Sequence, residues 1–594
     1  MLKDDRPVNF YSSEKGNDLP AIEPETLSSG LWDASPGYEF NPKIDIPAMH
    51  SWFRDTAHCT PPVTPLFGWH WAKFCSHGLK AACAELSIPA CKGWEIRLLN
   101  GGIYCSLQIV RDPGEVAERE VKFNLALQPW LDDFDGLWSG YKQELLGIYD
   151  KLKKLDVDKV TNLELAHHNY DLMRAYMRMW EIHFLGLYAA FSAWYIFDNI
   201  TKERFGLKDL EPGFQDMVRG FDNKIYQMDQ KMWEFNRLAV AMGITDLFKE
   251  NEPDVIIAKL PQSVIGQKWY REFISYLQND DVGGWRMTRF SDLTEPYWLE
   301  KPAIPVALVK DNIMRGSDFN LINIRKQLAE KRETAISHFL NQIPPEERDY
   351  LGKLLKLSGK VSSYNEEHDL YCELMSQALM RRGYLAIGRR LTQAGTISAP
   401  EDIFMLNPEE IDRVIMVPET HDLRWLTGIR RSNWEESCRN NNFPLIFTDR
   451  ENLDEAIRMD ILPSRDAIAI KAIVGESPRP KRELAADLWG VCGCAGEAEG
   501  EACVVSTYEE LSKVKPGNIL VCPGINPAWT PVFGKIKGVI TDNGGILCHA
   551  AIVGREYGLP TIVNTQKGTS RIKTGQMIRM DATGAIYILR RYRI

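Results

Sequence analysis

The stretch Asn543-Gly544-Gly545-Ile546-Leu547-Cys548-His549-Ala550-Ala551-Ile552-Val553-Gly554-Arg555-Glu556-Tyr557-Gly558-Leu559-Pro560 decides how the last part of this chain is read. The apolar run Gly538-Val539-Ile540 before it predicts a strand, and the glycine pair breaks the chain out of that run. His549 then stands at the mouth of a predicted helix, and Gly558-Leu559-Pro560 turns into a second strand at Thr561-Ile562-Val563. A neutral imidazole, with a pKa near 6.5, attacks a phosphorus centre without prior deprotonation. Gly544 and Gly545 let the backbone approach closely and aim N–H donors, and the helix start favours added negative charge. His549 is therefore the candidate covalent phosphate carrier. Gly544, Gly545, Cys548 and Arg555 are its candidate phosphate contacts. Cys548 reads first as a small packing residue, and Arg555 reads equally as a surface or interdomain ion pair.

This segment resembles the phosphohistidine motif of the swivelling domain in phosphoenolpyruvate synthase and pyruvate phosphate dikinase. The turns around it carry the same likeness. Gly496-Glu497-Ala498-Glu499-Gly500-Glu501-Ala502 resembles the opening Gly-rich turn, and Pro516-Gly517-Asn518-Ile519-Leu520-Val521 a "PGDILV" strand. Pro527-Ala528-Trp529-Thr530-Pro531 resembles a "PxWTP" loop, and Gly575 to Asp581 with Gly584 to Leu589 the closing strands. The resemblance implies a small C-terminal β/β/α swivelling domain carrying phosphohistidine at His549. The dikinases have a regulatory threonine two places before the histidine; Leu547 stands there, so phosphorylation at that position is not expected.

A chain of 594 residues is too long for one core and predicts two to four domains. The net charge of −10 argues against nucleic acid or an anionic membrane as the main partner. Met1 to Pro7 is polar with no apolar stretch after it, and the longest apolar run, Phe184 to Phe197, is too short to span a bilayer. With 12 cysteines in no regular framework, reduced thiols in a cytoplasm are expected. Thirteen of the 17 tryptophans precede residue 300, which predicts an aromatic-rich core there and admits an aromatic-lined substrate pocket.

Residues 1–50 are rich in Pro, Gly, Ser and Asp and read as an extended N-terminal arm. Trp69 to Leu86 predicts a helix. Glu95 to Leu99 and Ile103 to Val110 flank Asn100-Gly101-Gly102, a hairpin signal. From Val116 to about Arg390 the pattern is mainly helical. Thr161-Asn162-Leu163-Glu164 predicts a capping box opening a long helix, and Ala378 to Leu391 predicts another helix. Adjacent His167 and His168 fall on different helix faces, which argues against a shared metal. The polar, Pro-broken segment 476–488 reads as a linker, leaving 51–475 as one mainly helical domain and 489–594 as the swivelling domain. The expected fold class is thus multidomain α+β, with the helical domain first.

Trp52-Phe53-Arg54-Asp55-Thr56-Ala57-His58, Pro61-Pro62-Val63-Thr64-Pro65-Leu66 and Asn100-Gly101-Gly102-Ile103-Tyr104 resemble the pattern "WxxDxxHxPxPxxPL…NGxxY" of rifampicin phosphotransferase-like acceptor domains. Thr60 replaces its first proline. Glu366-Glu367-His368, Arg389-Arg390-Leu391, Gly395 and Glu401-Asp402-Ile403-Phe404 resemble the later "ExH…GRRL…G…EDVF" part. The layout is similar to the large subunit of phenylphosphate synthase. The resemblance implies an acceptor domain, with Asp55, His58, Glu366 and His368 as candidate bases or orienting groups. Arg381, Arg382, Arg389 and Arg390 are candidate phosphate partners, and Asn100 and Tyr104 candidate substrate contacts. No Walker A loop is present, and the N-terminal half does not resemble an ATP-grasp domain. ATP with Mg²⁺ is therefore expected on a separate subunit, and a phenol-like hydroxyl compound is the expected acceptor. Three alternatives stay open: a carrier passing phosphate to another protein, transfer to a non-phenolic alcohol, and a zinc or redox site at Cys492, Cys494, Cys522, Cys548 and His549.

Overall fold

The computed structural model describes residues 53–439 and 485–589, apart from 56–58, 60–61, 90, 100, 111, 208–211, 280, 289–291, 316–320, 507, 526–528 and 530–531. The arm 1–50, His58, Asn100 and most of the 476–488 linker lie outside the described residues. The chain is multidomain α+β, as its patterning predicts. A large helical body precedes a small module built on a mixed sheet.

The body is organised by two long helical units. The first, Asn162–Phe205, starts where predicted: Thr161 Oγ1 accepts from the Glu164 N–H, and Glu164 accepts in return from the Thr161 N–H at 2.7 Å. This reciprocal pairing satisfies donors that a helix start leaves open. Apolar and aromatic residues occupy nearly every face over 172–197, so the helix is surrounded by protein. The second unit runs Arg348–His368, widens into a π-helical stretch over Asp369–Leu374, and continues as Met375–Gln393. The helix predicted over Ala378 to Leu391 is the end of this longer rod. A single π turn within an α-helix re-aims side chains, and such turns gather at functional positions.

Strands β1 (Phe53–Arg54), β2 (Cys91–Leu99) and β3 (Gly102–Ile109) form a three-stranded antiparallel sheet in the order β1-β3-β2. Gly101 has φ +76°, the left-handed turn that the Gly-Gly pair predicted. Between β1 and β2 the chain is helical over Pro65–His70, π-helical over Trp71–Cys75 and helical again over Ser76–Glu85.

The C-terminal module holds β4 (Leu488–Trp489), β5 (Val491–Cys494), β6 (Ala498–Val504), β7 (Ile519–Cys522), β8 (Gly538–Thr541), β9 (Thr561–Val563), β10 (Met577–Met580) and β11 (Ala585–Leu589). They order as β4-β11-β10-β6-β7-β8-β9-β5, with β6 to β9 parallel. Side chains alternate across such a sheet. Ile519 and Val521 point into one apolar layer with Ile540, Ile562 and Ile586, and Leu520 and Cys522 into the other with Ala550, Ala551 and Val553. The helix His549–Tyr557 covers that second face and ends at Gly558 in the left-handed conformation, φ +62°.

Candidate functional site

β8 ends at Thr541, and the loop after it delivers His549 to the first position of its helix. Gly544 has φ +107°, and a Cβ there would lie 2.7 Å from Cys548 Sγ, so this turn requires glycine. Cys548 is the N-cap, and burial raises its thiol pKa. The thiol packs under the glycine turn.

His549 does not face open solvent. Its Nδ1 lies 2.8 Å from Oε1 of Glu366, near the end of Arg348–His368 in the helical body. Both side chains are buried. A carboxylate on the Nδ1 side orients the ring and leaves Nε2 as the nitrogen turned away from Glu366. The same helix makes three further contacts with the body. Glu556 accepts from the Gly220 N–H at 3.1 Å and pairs with Arg325. The Tyr557 hydroxyl donates to Asp229 Oδ2 at 2.9 Å. Just before the histidine, Leu547 is buried within the apolar core of the helical body, and Ile546 packs against it.

Beyond Glu366, the π turn carries a buried group of ionisable side chains. His183 Nε2 lies 2.9 Å from Glu373 Oε1, and His368 Nε2 lies 3.1 Å from Asp369 Oδ1. Burial, together with the charges of Glu373 and Glu366, holds Asp369 well above the usual carboxylate range. Tyr364 ties the histidines together. Its ring stacks on His368, its carbonyl contacts His368 Nδ1 at 2.8 Å, and its hydroxyl donates to the His183 carbonyl at 3.1 Å. The ring has room because residue 186 is glycine: a Cβ there would lie 2.4 Å from the Tyr364 hydroxyl oxygen.

The structure thus brings His549, Glu366 and His368 into one buried region. Asp55 is buried on the edge of the β1–β3 sheet, where its N–H donates to the Ile103 carbonyl. Burial chiefly, with smaller contributions from the charges of Asp55 and Glu373 among others, raises the thiol pKa values of Cys59 and Cys75. Tyr104 pairs opposite Arg54 in β3, and burial pushes its hydroxyl up to about 12.

The arginines sit elsewhere. Arg555 is buried and donates to the carbonyls of Gly493 and Ile546, both at 2.9 Å, pinning the histidine loop to β5. Arg381 makes a bidentate pair with Glu300, and Arg382 donates to the carbonyls of Leu152, Lys153 and Leu155. Arg389 pairs with Asp158, and Arg390 donates to the Val160 carbonyl and Asn162. At about 1.5 Å per residue, Arg381 lies roughly 22 Å and Arg389 about 35 Å along the rod from Glu366. They hold neighbouring segments of the body, far along the rod from Glu366 and the His549 it contacts.

Cys492 and Cys494 are buried in β5, and the cluster of metal-ligand residues found among the described residues contains neither. His168 is buried while His167 is exposed, as expected for adjacent helix positions. Two open clefts of about 580 and 1050 Å³ lie against other helices; the first includes His167 and His168, and neither is lined by His549 or Glu366. His183, Asp369, Glu373 and Glu556 escaped sequence reasoning. One signal was present: a histidine directly before the apolar run Phe184 to Phe197, and acidic residues at 366, 369 and 373 in a predicted helix.

A mixed-sheet module thus presents His549 to a buried carboxylate of the helical body. Comparison with known proteins finds two family matches. Residues 514–584 match the family described as PEP-utilising enzyme, mobile domain, and residues 183–366 match the rifampicin phosphotransferase fourth domain. The chain is 29% identical over 348 residues to the uncharacterized phosphotransferase YvkC of Bacillus subtilis, covering 58% of this chain and 39% of that protein. It is 28% identical over 318 residues to the rifampicin phosphotransferase of Streptomyces sviceus, covering 52% and 33%. It is also 25% identical over 605 residues to the chondramide synthase cmdD of Chondromyces crocatus, covering 96% of this chain and 15% of that protein. The chain therefore spans about two fifths or less of the length of these curated relatives. No helix among the described residues is long and apolar enough to cross a membrane.

Proposed function

We propose that this chain is a phosphotransferase in which His549 carries a phosphoryl group from ATP, bound with Mg²⁺ on a separate subunit, to a phenolic hydroxyl held in the helical body. The observation that carries this reading is the 2.8 Å approach of His549 Nδ1 to Glu366 across two modules. A structural histidine has no need of a glycine turn, a helix start and an interdomain carboxylate together. Matches to the mobile domain and to rifampicin phosphotransferase support the same reaction class.

In the transfer step the acceptor oxygen bonds to phosphorus as the Nε2–P bond breaks, and the bonding pair returns to the imidazole. Glu366 holds the Nδ1 side of the ring, and the hydroxyl proton passes to a base on the acceptor's side of the phosphoryl group, for which Asp55 is the candidate. A phenol, with a pKa near 10, gives up that proton far more readily than an alcohol. The aromatic surroundings favour such an acceptor: the rings of Trp180, Phe184 and Tyr364 pack against His183 or His368. The 476–488 segment is the proposed tether for reorientation between donor and acceptor, and a cytoplasmic location with reduced thiols completes the reading.

Radiolabelled ATP, the purified chain and its co-purified partner, assayed against phenols and alcohols, test this. Acid-labile label on the wild type, none on His549→Ala, and a phenyl phosphate product are expected. A phosphorylated partner protein with no small phosphate ester would establish the carrier reading instead. Robust ATP use by this chain alone would remove the separate donor subunit.

A further inference from the structure

We propose that His183, His368, Asp369 and Glu373 form a binding site for one divalent transition-metal cation inside the helical body. Each offers one ligand atom, and these four atoms all lie within 4.8 Å of one another. For bonds of about 2.0–2.1 Å, a tetrahedral ion needs ligand–ligand edges of about 3.3 Å, so small side-chain adjustments close the shell. Two edges already stand near that value: His183 to Glu373 at 2.9 Å and His368 to Asp369 at 3.1 Å.

The supporting shell is also in place. The Tyr364 carbonyl takes the Nδ1 side of His368 at 2.8 Å, which sets the tautomer and turns Nε2 toward the carboxylates. Metal-bound histidines are held by this kind of backbone contact on the far nitrogen. Tyr364 bonds to the His183 carbonyl as well, so one side chain braces both imidazole-bearing segments. The π turn over Asp369–Leu374 rotates Asp369 and Glu373 inward together.

Charge argues the same way. All four side chains are buried, and two carboxylates sharing one interior repel unless neutralised. A dication cancels both charges. Two imidazoles and two carboxylates suit Zn²⁺ or Mn²⁺ and are a poor match for Mg²⁺ or Ca²⁺, which prefer oxygen ligands. This ion is separate from the Mg²⁺ that accompanies ATP. The site deepens the proposed transfer reaction, on which its catalytic use rests. Asp369 lies three residues from Glu366, so an acceptor oxygen entering as a fifth ligand would have its pKa lowered close to the His549 contact.

The test uses the full chain without ATP or acceptor. After chelation and dialysis, Zn²⁺, Mn²⁺ and Mg²⁺ are titrated calorimetrically, and bound metal is counted by mass spectrometry. One equivalent of Zn²⁺ or Mn²⁺ is expected, weakened about tenfold or more in His183→Gln and Glu373→Gln, with Mg²⁺ far weaker. X-ray absorption on the zinc-loaded wild type should show nitrogen and oxygen neighbours and no sulfur, and this holds even if a variant fails to fold. No bound equivalent, binding unchanged in both variants, or a sulfur shell would overturn the site. A cation bound as expected by a protein that transfers no phosphate would uphold the site and sink the transfer reading alone.

Discussion

Glu556 stands seven residues beyond His549 on one helix, and both turn the same way: His549 meets Glu366, while Glu556 meets Arg325 and the Gly220 N–H. Seven residues are two helical turns, so one face carries both contacts. The reacting end of the helix is thereby held at two points, and the second is an ion pair buried between modules.

Removing one partner of such a pair leaves an uncompensated buried charge, which costs about 3–5 kcal/mol in comparable cases. Arg325→Met should therefore release the C-terminal module from the body. Small-angle scattering should show a larger radius of gyration than in wild type, and Glu556→Gln in the same chain should restore part of the compact form. An unchanged radius in Arg325→Met would show that docking does not depend on this pair.

Glu366→Gln keeps the size of the side chain and removes its charge. Label should still accumulate on the protein, while transfer to acceptor falls because the ring loses the carboxylate that orients it. Nitrogen-15 spectra of the phosphorylated wild type should show phosphorus on Nε2, because Glu366 occupies the Nδ1 side. Phosphorus on Nδ1 would contradict this docked arrangement as the transfer state.

Gly186→Ala drives a methyl group into the Tyr364 ring, 2.4 Å away. Overpacking of this kind costs about 1–3 kcal/mol. The denaturation midpoint of the helical body should fall, with transfer impaired because Tyr364 braces both His183 and His368. A variant with wild-type midpoint and rate would show that the ring is not fixed there.

Asp292 supplies a pH signature. It accepts from the Thr64 N–H and hydroxyl, yet burial pushes its pKa up to about 7. The unfolded value is near 3.9, so its contribution to stability is full below about pH 4 and is lost as pH rises through about 7. Wild type should lose about 2–3 kcal/mol more than Asp292→Asn between pH 5 and pH 8 in urea unfolding. His70 is pulled down to about 3 by burial and acts in the opposite sense, losing stability as pH falls below 6.5. Comparing the two proteins cancels its effect. Equal pH slopes would show that Asp292 is not shifted.

Local chemistry made much of this legible. The Thr161–Glu164 cap, the Gly101 hairpin and the turn before His549 depend on residues a few positions apart, and each formed where the sequence placed it. The arginines misled because a guanidinium satisfies helix-end carbonyls as well as phosphate, and only the fold decides which is near. His183 and Glu373 are 190 positions apart on different helices, so no window of sequence shows them touching. Glu556 is recognised only in the fold, because its partners come from the other module.

Leu547, the residue two places before the histidine, is sunk in the apolar core of the helical body. Withdrawing a leucine into water costs about 1.5–3 kcal/mol, which lengthens the time a docked loop stays by about 10- to 150-fold. If the module swings as proposed, the loop would act as a timer whose setting is apolar area, indifferent to whether the neighbouring imidazole is loaded or spent. A donor surface that receives the same loop must offer Leu547 an equally dry seat, or the histidine will dwell almost wholly at its acceptor.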